Sequence, residues 1–342
     1  MPLLFGAKQT IIAMISFIVT TYNLEDWLLR RCLDSIVAQE LSRDQYEIIV
    51  VDDESAVSPK HVVESYARQA DISLYVQQHA RQGAARNLGI RYAKGEWIQF
   101  VDGDDYLFAD TTALIIKAAQ DKELDLLMFG HQEVYGNTPK RHACSTHTMS
   151  LSSTTTGDTY MLHHNLFGSC CMQIFRKTLL DDPIFGTPLR FTEGIYVEDE
   201  EFVTKLVWRA QRMACTDVSV YAYYQRENST VHCRSIEHTD ELFRSYFVAL
   251  RRLRGFESSL ESMPHAGITR KVHFLALDIL RRALREPDWK RRWNESVQQL
   301  RSLELYPLPS VHYSWKYSLF RLLTKSALGR HILWLLEKRE KK

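Results

Sequence analysis

No stretch of the 342 residues reaches the roughly 18 consecutive apolar residues that a bilayer-spanning helix requires. The six cysteines (Cys32, Cys144, Cys170, Cys171, Cys215 and Cys233) form no C-x-x-C pair. Zinc-site spacing is therefore missing, and scattered thiols in a long chain read as reduced, structural residues. No G-x-G-x-x-G follows the first apolar run, which removes the dinucleotide-binding fingerprint. No G-x-S-x-G nucleophile elbow is present, and there is neither an internal repeat nor a low-complexity tract. The run Ile11–Val19 is too short and too weakly preceded by Lys8 to read as a signal peptide, and cleavage near Ser16 would destroy a strand. Residues 1–13 are expected to be a loose leader, with Met14 as a natural start.

Apolar residues make up 45% of the chain, enough for a sizeable core. The length suits one large or two smaller domains. The net charge of +1 conceals an asymmetry. From Arg251 onward there are 20 Lys+Arg against 9 Asp+Glu, leaving 23 against 33 before it. A basic C-terminal third points to an anionic surface there.

Strand and helix signals alternate through the first half. Met14–Thr20, Tyr46–Val51, Ile72–Val76 and Glu96–Val101 read as strands, rich in β-branched and aromatic residues. Between them, Trp27–Val37, a helix after Pro59 and Gly83–Ala93 carry helical spacing. The short connections predict a mostly parallel, Rossmann-like α/β sheet flanked by helices. Further on, Leu124–Phe129 reads as a strand to which Gln132–Tyr135 pairs. Residues 137–156 read as a Ser-, Thr- and His-rich surface loop. Cys170–Phe175 and Val218–Tyr224 read as strands, and Glu198–Ala210 as an amphipathic helix. After Ser235, Leu242–Leu253, Val272–Leu284, Trp293–Leu303 and Trp315–Glu337 read as helices. The expected division is a catalytic domain over 14–235 and a basic helical region over 236–342.

In such sheets ligands bind off the carboxyl ends of the strands. Tyr22, Asp53 and Asp102 each fall just past a predicted strand end. The stretch Val101-Asp-Gly-Asp-Asp105 puts three carboxylates within four residues. They repel unless solvated or neutralised by a hard cation, and Mg²⁺-like ions favour carboxylates together with substrate phosphates.

Five segments occur in order: Ser16-Phe-Ile-Val-Thr-Thr-Tyr-Asn23, Val51-Asp-Asp-Glu-Ser55, Gly83-Ala-Ala-Arg-Asn87 with Gly89, Val101-Asp-Gly-Asp-Asp105 and Tyr196-Val-Glu-Asp-Glu-Glu-Phe202. Together they resemble glycosyltransferase family 2, inverting nucleotide-sugar-dependent enzymes of GT-A fold. The resemblance covers residues 14–235. It implies that Thr20 and Tyr22 line the nucleotide pocket and that Asp53 accepts a hydrogen bond from the base, which suits uracil and a UDP-sugar. It implies Arg86 near the phosphates, Asp102 at the ribose or metal shell, and Asp104 as ligand of Mn²⁺ or Mg²⁺. Asp199 would be the general base, with Glu198, Glu200 and Glu201 as neighbouring alternatives. The sequence departs from the pattern at Glu54, where the family commonly carries Gly. Tyr224-Gln-Arg-Glu-Asn-Ser-Thr230 resembles the family's Tyr-x-Arg-x-x-Ser segment, placing Arg226 or Ser229 over the diphosphate.

The expected reaction is transfer of a sugar to a hydroxyl of a glycan or lipid-linked glycan acceptor. A non-catalytic nucleotide-sugar-binding module and a nucleotidyltransferase of related fold are the competing expectations. The latter lacks its glycine- and lysine-rich phosphate loop, since Thr21-Tyr22-Asn23 stands in that place. Near the C-terminus, Trp315, Leu319, Leu322, Leu323, Leu328, Ile332, Leu335 and Leu336 form an apolar stripe broken by basic residues. Such a stripe either lies on a membrane surface or packs on the protein's own core, the more common outcome. The expected location is cytoplasmic, with a peripheral position on the cytoplasmic face of the membrane as the open alternative. No motif supports nucleic-acid binding.

Overall fold

The structure, a computed structural model, describes residues 14–136, 149–225, 235–260 and 262–339. It divides into two units. The first holds residues up to 156, 169–194 and the segment from 209 through the last strand. The second holds 157–168, 195–208 and the C-terminal helices. Two pieces from within 14–235 thus group with the helical region.

The first unit is built on one mixed sheet. Its strands are β1 (Ile15–Thr21), β2 (Tyr46–Asp52), β3 (Ile72–Val76), β4 (Trp97–Asp102), β5 (Tyr106–Leu107), β6 (Leu126–Val134), β7 (Gln173–Arg176) and β8 (Met213–Tyr224). Their spatial order is β3-β2-β1-β4-β7-β6-β8-β5. Helices α1 (Asp26–Val37), α2 (Lys60–Glu64), α3 (Arg81–Tyr92) and α4 (Thr112–Asp121) connect strands in the first half.

All seven residues of β1 are buried, as a central parallel strand covered on both faces requires. Its one early polar side chain, Ser16, donates to Glu47 Oε1 at 2.6 Å and accepts from the Gly95 amide at 2.8 Å. A Cβ at Gly95 would lie 2.6 Å from the Ser16 nitrogen, so only glycine allows β4 to start so close to β1. The parallel register sets Thr21 beside Asp52 and Thr20 beside Asp102. Three strands therefore end together, and the residues following them share one edge.

Two sequence expectations change. Gln132–Tyr135 does not fold back on Leu124–Phe129: β6 runs straight through Val134 and pairs with β8. Gly130 makes this workable. The register shifts on either side of it, and a Cβ there would lie 3.0 Å from the Asp217 carbonyl. In addition, β5 and α4 follow the acidic turn, and neither is among the elements expected above. The expected loop at 137–156 lies mostly outside the described residues, as do residues 1–13, Arg226 and Ser229.

The helices after α4 are α5 (Gly157–His163), α6 (Thr178–Asp181), α7 (Glu198–Arg209), α8 (Ile236–Ser258), α9 (Ala266–Arg285), α10 (Trp289–Ser302), α11 (Trp315–Thr324) and α12 (Ala327–Arg339). All but α6 and the end of α7 belong to the second unit. There α9 packs against α5, α8, α10 and α12 through a stripe that includes Ile268, Val272, Leu275, Ile279 and Leu280. Asp158 on α5 accepts the Gly267 amide at 2.9 Å, which satisfies an otherwise orphaned donor of the first turn of α9. The expected single helix over Trp315–Glu337 is two helices. The break falls at Lys325 and Ser326, and Gly329 in the first turn of α12 packs against the end of α11, where a Cβ would lie 2.2 Å from the Leu323 carbonyl.

Candidate active site

The shared edge of β1, β2 and β4 gathers most of the residues singled out by sequence. Asp102, at the end of β4, accepts from Arg86 Nη2 at 2.9 Å and from Thr20 Oγ1 at 3.4 Å. Arg86 comes from α3 and is buried, with its guanidinium 5.4 Å from the Phe191 ring centroid. Thr20, Arg86 and Asp102 thus form one polar cluster drawn from three elements.

Asp53 is buried just past β2. Its Oδ1 accepts from Gln77 Nε2 at 2.7 Å and from the Ala80 amide at 2.9 Å. Its Oδ2 accepts from the Arg81 amide at 2.9 Å and lies 2.9 Å from His79 Nδ1. The carboxylate therefore orders the chain from Gln77 to Arg81, a role that spacing did not reveal. His79 in turn stacks on Tyr22, ring centroids 4.5 Å apart. Tyr22 is 46% exposed, so one aromatic face stands at the edge of the sheet within reach of a planar ligand.

Glu54 explains its own departure from the family pattern. Its φ is +66°, in the left-handed region that glycine enters freely. The turn keeps its shape with a side chain, at a cost of about 1 kcal/mol. Glu54 Oε2 accepts the His79 amide at 3.0 Å, which offsets part of that cost.

The three acids after β4 have different fates. Asp102 and Asp104 are part-exposed, whereas Asp105 is buried. Asp105 Oδ2 accepts from the Tyr221 hydroxyl at 2.6 Å and Oδ1 from the Tyr224 amide at 2.7 Å. Burial pushes its carboxyl well above the usual carboxylate range, and the charges of Asp104 and Asp102 add to this. The same Tyr221 hydroxyl accepts the Asp102 amide at 3.1 Å, so it ties β8 to both ends of the acidic turn. Tyr221→Phe is expected to destabilise the fold by about 1–3 kcal/mol, because buried partners lose their mate. Denaturant unfolding would measure it, and an unmoved midpoint would show the tie to be inert.

The turn itself is tightly held. The Gly103 amide donates to the Thr20 carbonyl at 2.9 Å, and a Cβ there would lie 2.8 Å from that oxygen. Arg31 Nη2 donates to the Asp104 carbonyl at 2.7 Å. That guanidinium sits against Trp27, Tyr106 and Tyr224, with centroid distances of 5.1, 4.9 and 4.0 Å. Arg31 was not picked out by sequence, since its aromatic wall comes from three separate elements. Cys32 is buried beneath the turn. Burial first, then Asp105, Asp104 and Asp102, push its thiol well up, which keeps it protonated and unreactive.

Among the described residues no group of three or more His, Cys, Asp or Glu is arranged to hold a metal. Two part-exposed carboxylates two residues apart nevertheless fit the donor set of Mg²⁺ or Mn²⁺ when phosphate oxygens complete the shell. Of the two, Asp102 is paired with Arg86.

Asp199 lies in the second unit, in the first turn of α7. It is part-buried, and its Oδ1 accepts the Glu200 amide at 3.0 Å. Neighbouring acids are committed elsewhere. Glu200 pairs with Lys271 at 2.7 Å, and buried Glu201 pairs with Arg252 at 2.9 Å and with Lys205. Val197, just before the helix, has φ +55°. A β-branched residue there is a true outlier, and such strain concentrates at functional sites.

Residues 16–182 match the model of glycosyl transferase family 2. The uncharacterized glycosyltransferase EpsJ of Bacillus subtilis is 29% identical over 222 residues, 64% of this chain and 63% of EpsJ. The poly(ribitol-phosphate) β-N-acetylglucosaminyltransferase TarS of Staphylococcus aureus is 26% identical over 223 residues, 64% of this chain and 37% of TarS. The chain thus covers less than two thirds of the length of either relative. Residues 1–349 of S. aureus TarS, solved in complex with UDP-GlcNAc, superpose with TM-score 0.68 at 19% identity, over 96% of this chain and 91% of that one. A mannosyltransferase of Pyrobaculum calidifontis, solved with GDP-Man and Mn²⁺, gives TM-score 0.53 at 17% identity, over 97% and 87%. The edge cluster, the mixed sheet and these matches converge: residues 16–182 form a glycosyl transferase family 2 domain, and the chain has the GT-A fold.

Proposed function

We propose that the chain transfers a sugar from a UDP-sugar to a hydroxyl of a glycan or lipid-linked glycan, with inversion at the anomeric carbon. The observation that carries this reading is the common edge of β1, β2 and β4. It sets an exposed aromatic ring, Tyr22, beside a saturated acid, Asp53, and ends in the Asp102–Arg86 pair with Asp104 two residues on. The ring stacks on the base. Asp53 holds the 77–81 segment in place to frame that base, and Arg86, paired with Asp102, would lie near the phosphates. Asp104, with Asp102, would hold a divalent ion, which supplies Lewis-acid stabilisation of the departing diphosphate. Asp199 takes the proton of the attacking hydroxyl. Glu201 is buried, which favours the part-exposed Asp199 over it. No nucleophilic side chain is required for a single displacement. TarS, seen with UDP-GlcNAc, supports a uridine donor, and its name supports a hydroxyl-bearing polymer such as poly(ribitol-phosphate) among the acceptors to test.

The test is a donor panel. The full chain is incubated with UDP-GlcNAc, UDP-Glc, UDP-Gal and GDP-Man, with Mn²⁺ or Mg²⁺, and nucleotide release is followed. Release from at least one UDP-sugar is expected, and Tyr22→Ala is expected to weaken UDP binding about 3- to 10-fold through lost stacking. Absence of both UDP binding and release at millimolar donor would overturn the reading.

A further inference from the structure

Helices α11 and α12 present their apolar residues the wrong way round for a protein in water. On α11, Trp315, Leu319 and Leu322 follow the i, i+4, i+7 spacing of one face and are 67%, 44% and 60% exposed. On α12, Leu328, Ile332, Leu335 and Leu336 repeat the pattern at 72%, 39%, 46% and 50%. The opposite faces are the packed ones. Tyr317 and Phe320 on α11 and Leu333 on α12 are buried, and Tyr317 meets Phe274 of α9 with centroids 5.4 Å apart. Packing of this stripe on the protein's own core, the commoner fate, is therefore not what these seven residues do.

The charge around the stripe is of one sign. Lys316, Lys325 and Lys338 are exposed on or between the same two helices, and Glu337 is the one carboxylate in residues 315–338. Glu337 is buried and paired with Arg281 Nε at 2.5 Å and Arg285 Nε at 2.6 Å, so it offsets nothing at the surface. A second copy of the same face would bring like charges together. An acidic protein groove would meet the charges but leaves this breadth of exposed Leu, Ile and Trp without a fitting depth. An anionic lipid surface meets both demands: acyl chains take the apolar stripe, and headgroup phosphates take the cations. Among the described residues no helix is long and apolar enough to cross a bilayer, so the helices would lie in its interface.

We infer that the α11–α12 face docks the protein onto an anionic membrane surface. This goes beyond the transfer reading and does not depend on it, because lipid binding is read without any turnover.

The full chain is floated with vesicles of phosphatidylcholine alone and of phosphatidylcholine with 30 mol% phosphatidylglycerol (about a typical anionic load). Co-flotation with the anionic vesicles is expected, weakened by high salt. Leu319→Ser, Leu322→Ser and Leu328→Ser combined should reduce the bound fraction by at least about tenfold. These side chains are exposed, so circular dichroism and UDP-sugar turnover in solution should be unchanged. Flotation that persists in the triple variant would overturn the inference. So would wild-type protein that ignores anionic vesicles, or that forms a dimer through this face and binds no lipid.

Discussion

Asp104→Ala should reduce sugar transfer by roughly 10²–10³-fold and abolish its response to added Mn²⁺ or Mg²⁺. Asp105 cannot substitute, because its carboxylate is turned inward to the Tyr221 hydroxyl and the Tyr224 amide. Asp102 cannot fully substitute either, since it is paired with Arg86. The fold should survive, because the Asp104 side chain is part-exposed and the Arg31 bond to its carbonyl oxygen does not need the carboxylate. Initial rates across a metal titration would measure the effect. A variant that retains wild-type rates and wild-type metal dependence would remove Asp104 from the proposed ligand set.

Asp199→Asn should lower kcat by roughly 10²–10⁴-fold, the usual contribution of a positioned general base. UDP affinity should stay within about twofold of wild type, because the base acts on the acceptor proton and not on the nucleotide. The substitution keeps the shape and preserves an oxygen able to accept the Glu200 amide, so loss of activity would not come from a broken helix start. Full activity would shift attention to the neighbouring acids Glu198, Glu200 and Glu201. The pairing of the two variants is informative. Asp104→Ala should alter the metal response, whereas Asp199→Asn should leave it intact and steepen the dependence of the residual rate on pH.

The strands of the first half were legible because each is a β-branched or aromatic run that ends in polar residues. Ile72–Val76 was placed without error, and β1, β2 and β4 came within a residue or so. Their alignment along one edge followed from alternation with helices. The short strand β5 was not legible, because two residues carry no period. The continuity of β6 across Gly130 was not legible either, because a glycine in a strand looks like a stop until its partner strand is known. At the site, residue types were readable but their duties were not. Asp53 is satisfied in part by the backbone amides of Ala80 and Arg81, which have no signature in side-chain identity. Asp105 looked equivalent to Asp104 in sequence, and only the arrival of Tyr221 from 116 residues away separates them. Glu54 looked like a disruption. Its left-handed backbone shows that the turn persisted and the side chain was accommodated.

The acidic turn after β4 leaves its backbone no freedom to surrender. Its amides are spent on Thr20 and Asp102, its last carboxylate is moored to β8, and one of its carbonyls is clamped by a cation walled in by aromatic rings. A dication and its diphosphate settling there would find the scaffold already rigid. Their capture would thus be governed by electrostatics and dehydration, with little entropic toll from the polypeptide, and would tighten or loosen with ionic strength more than with temperature-driven ordering.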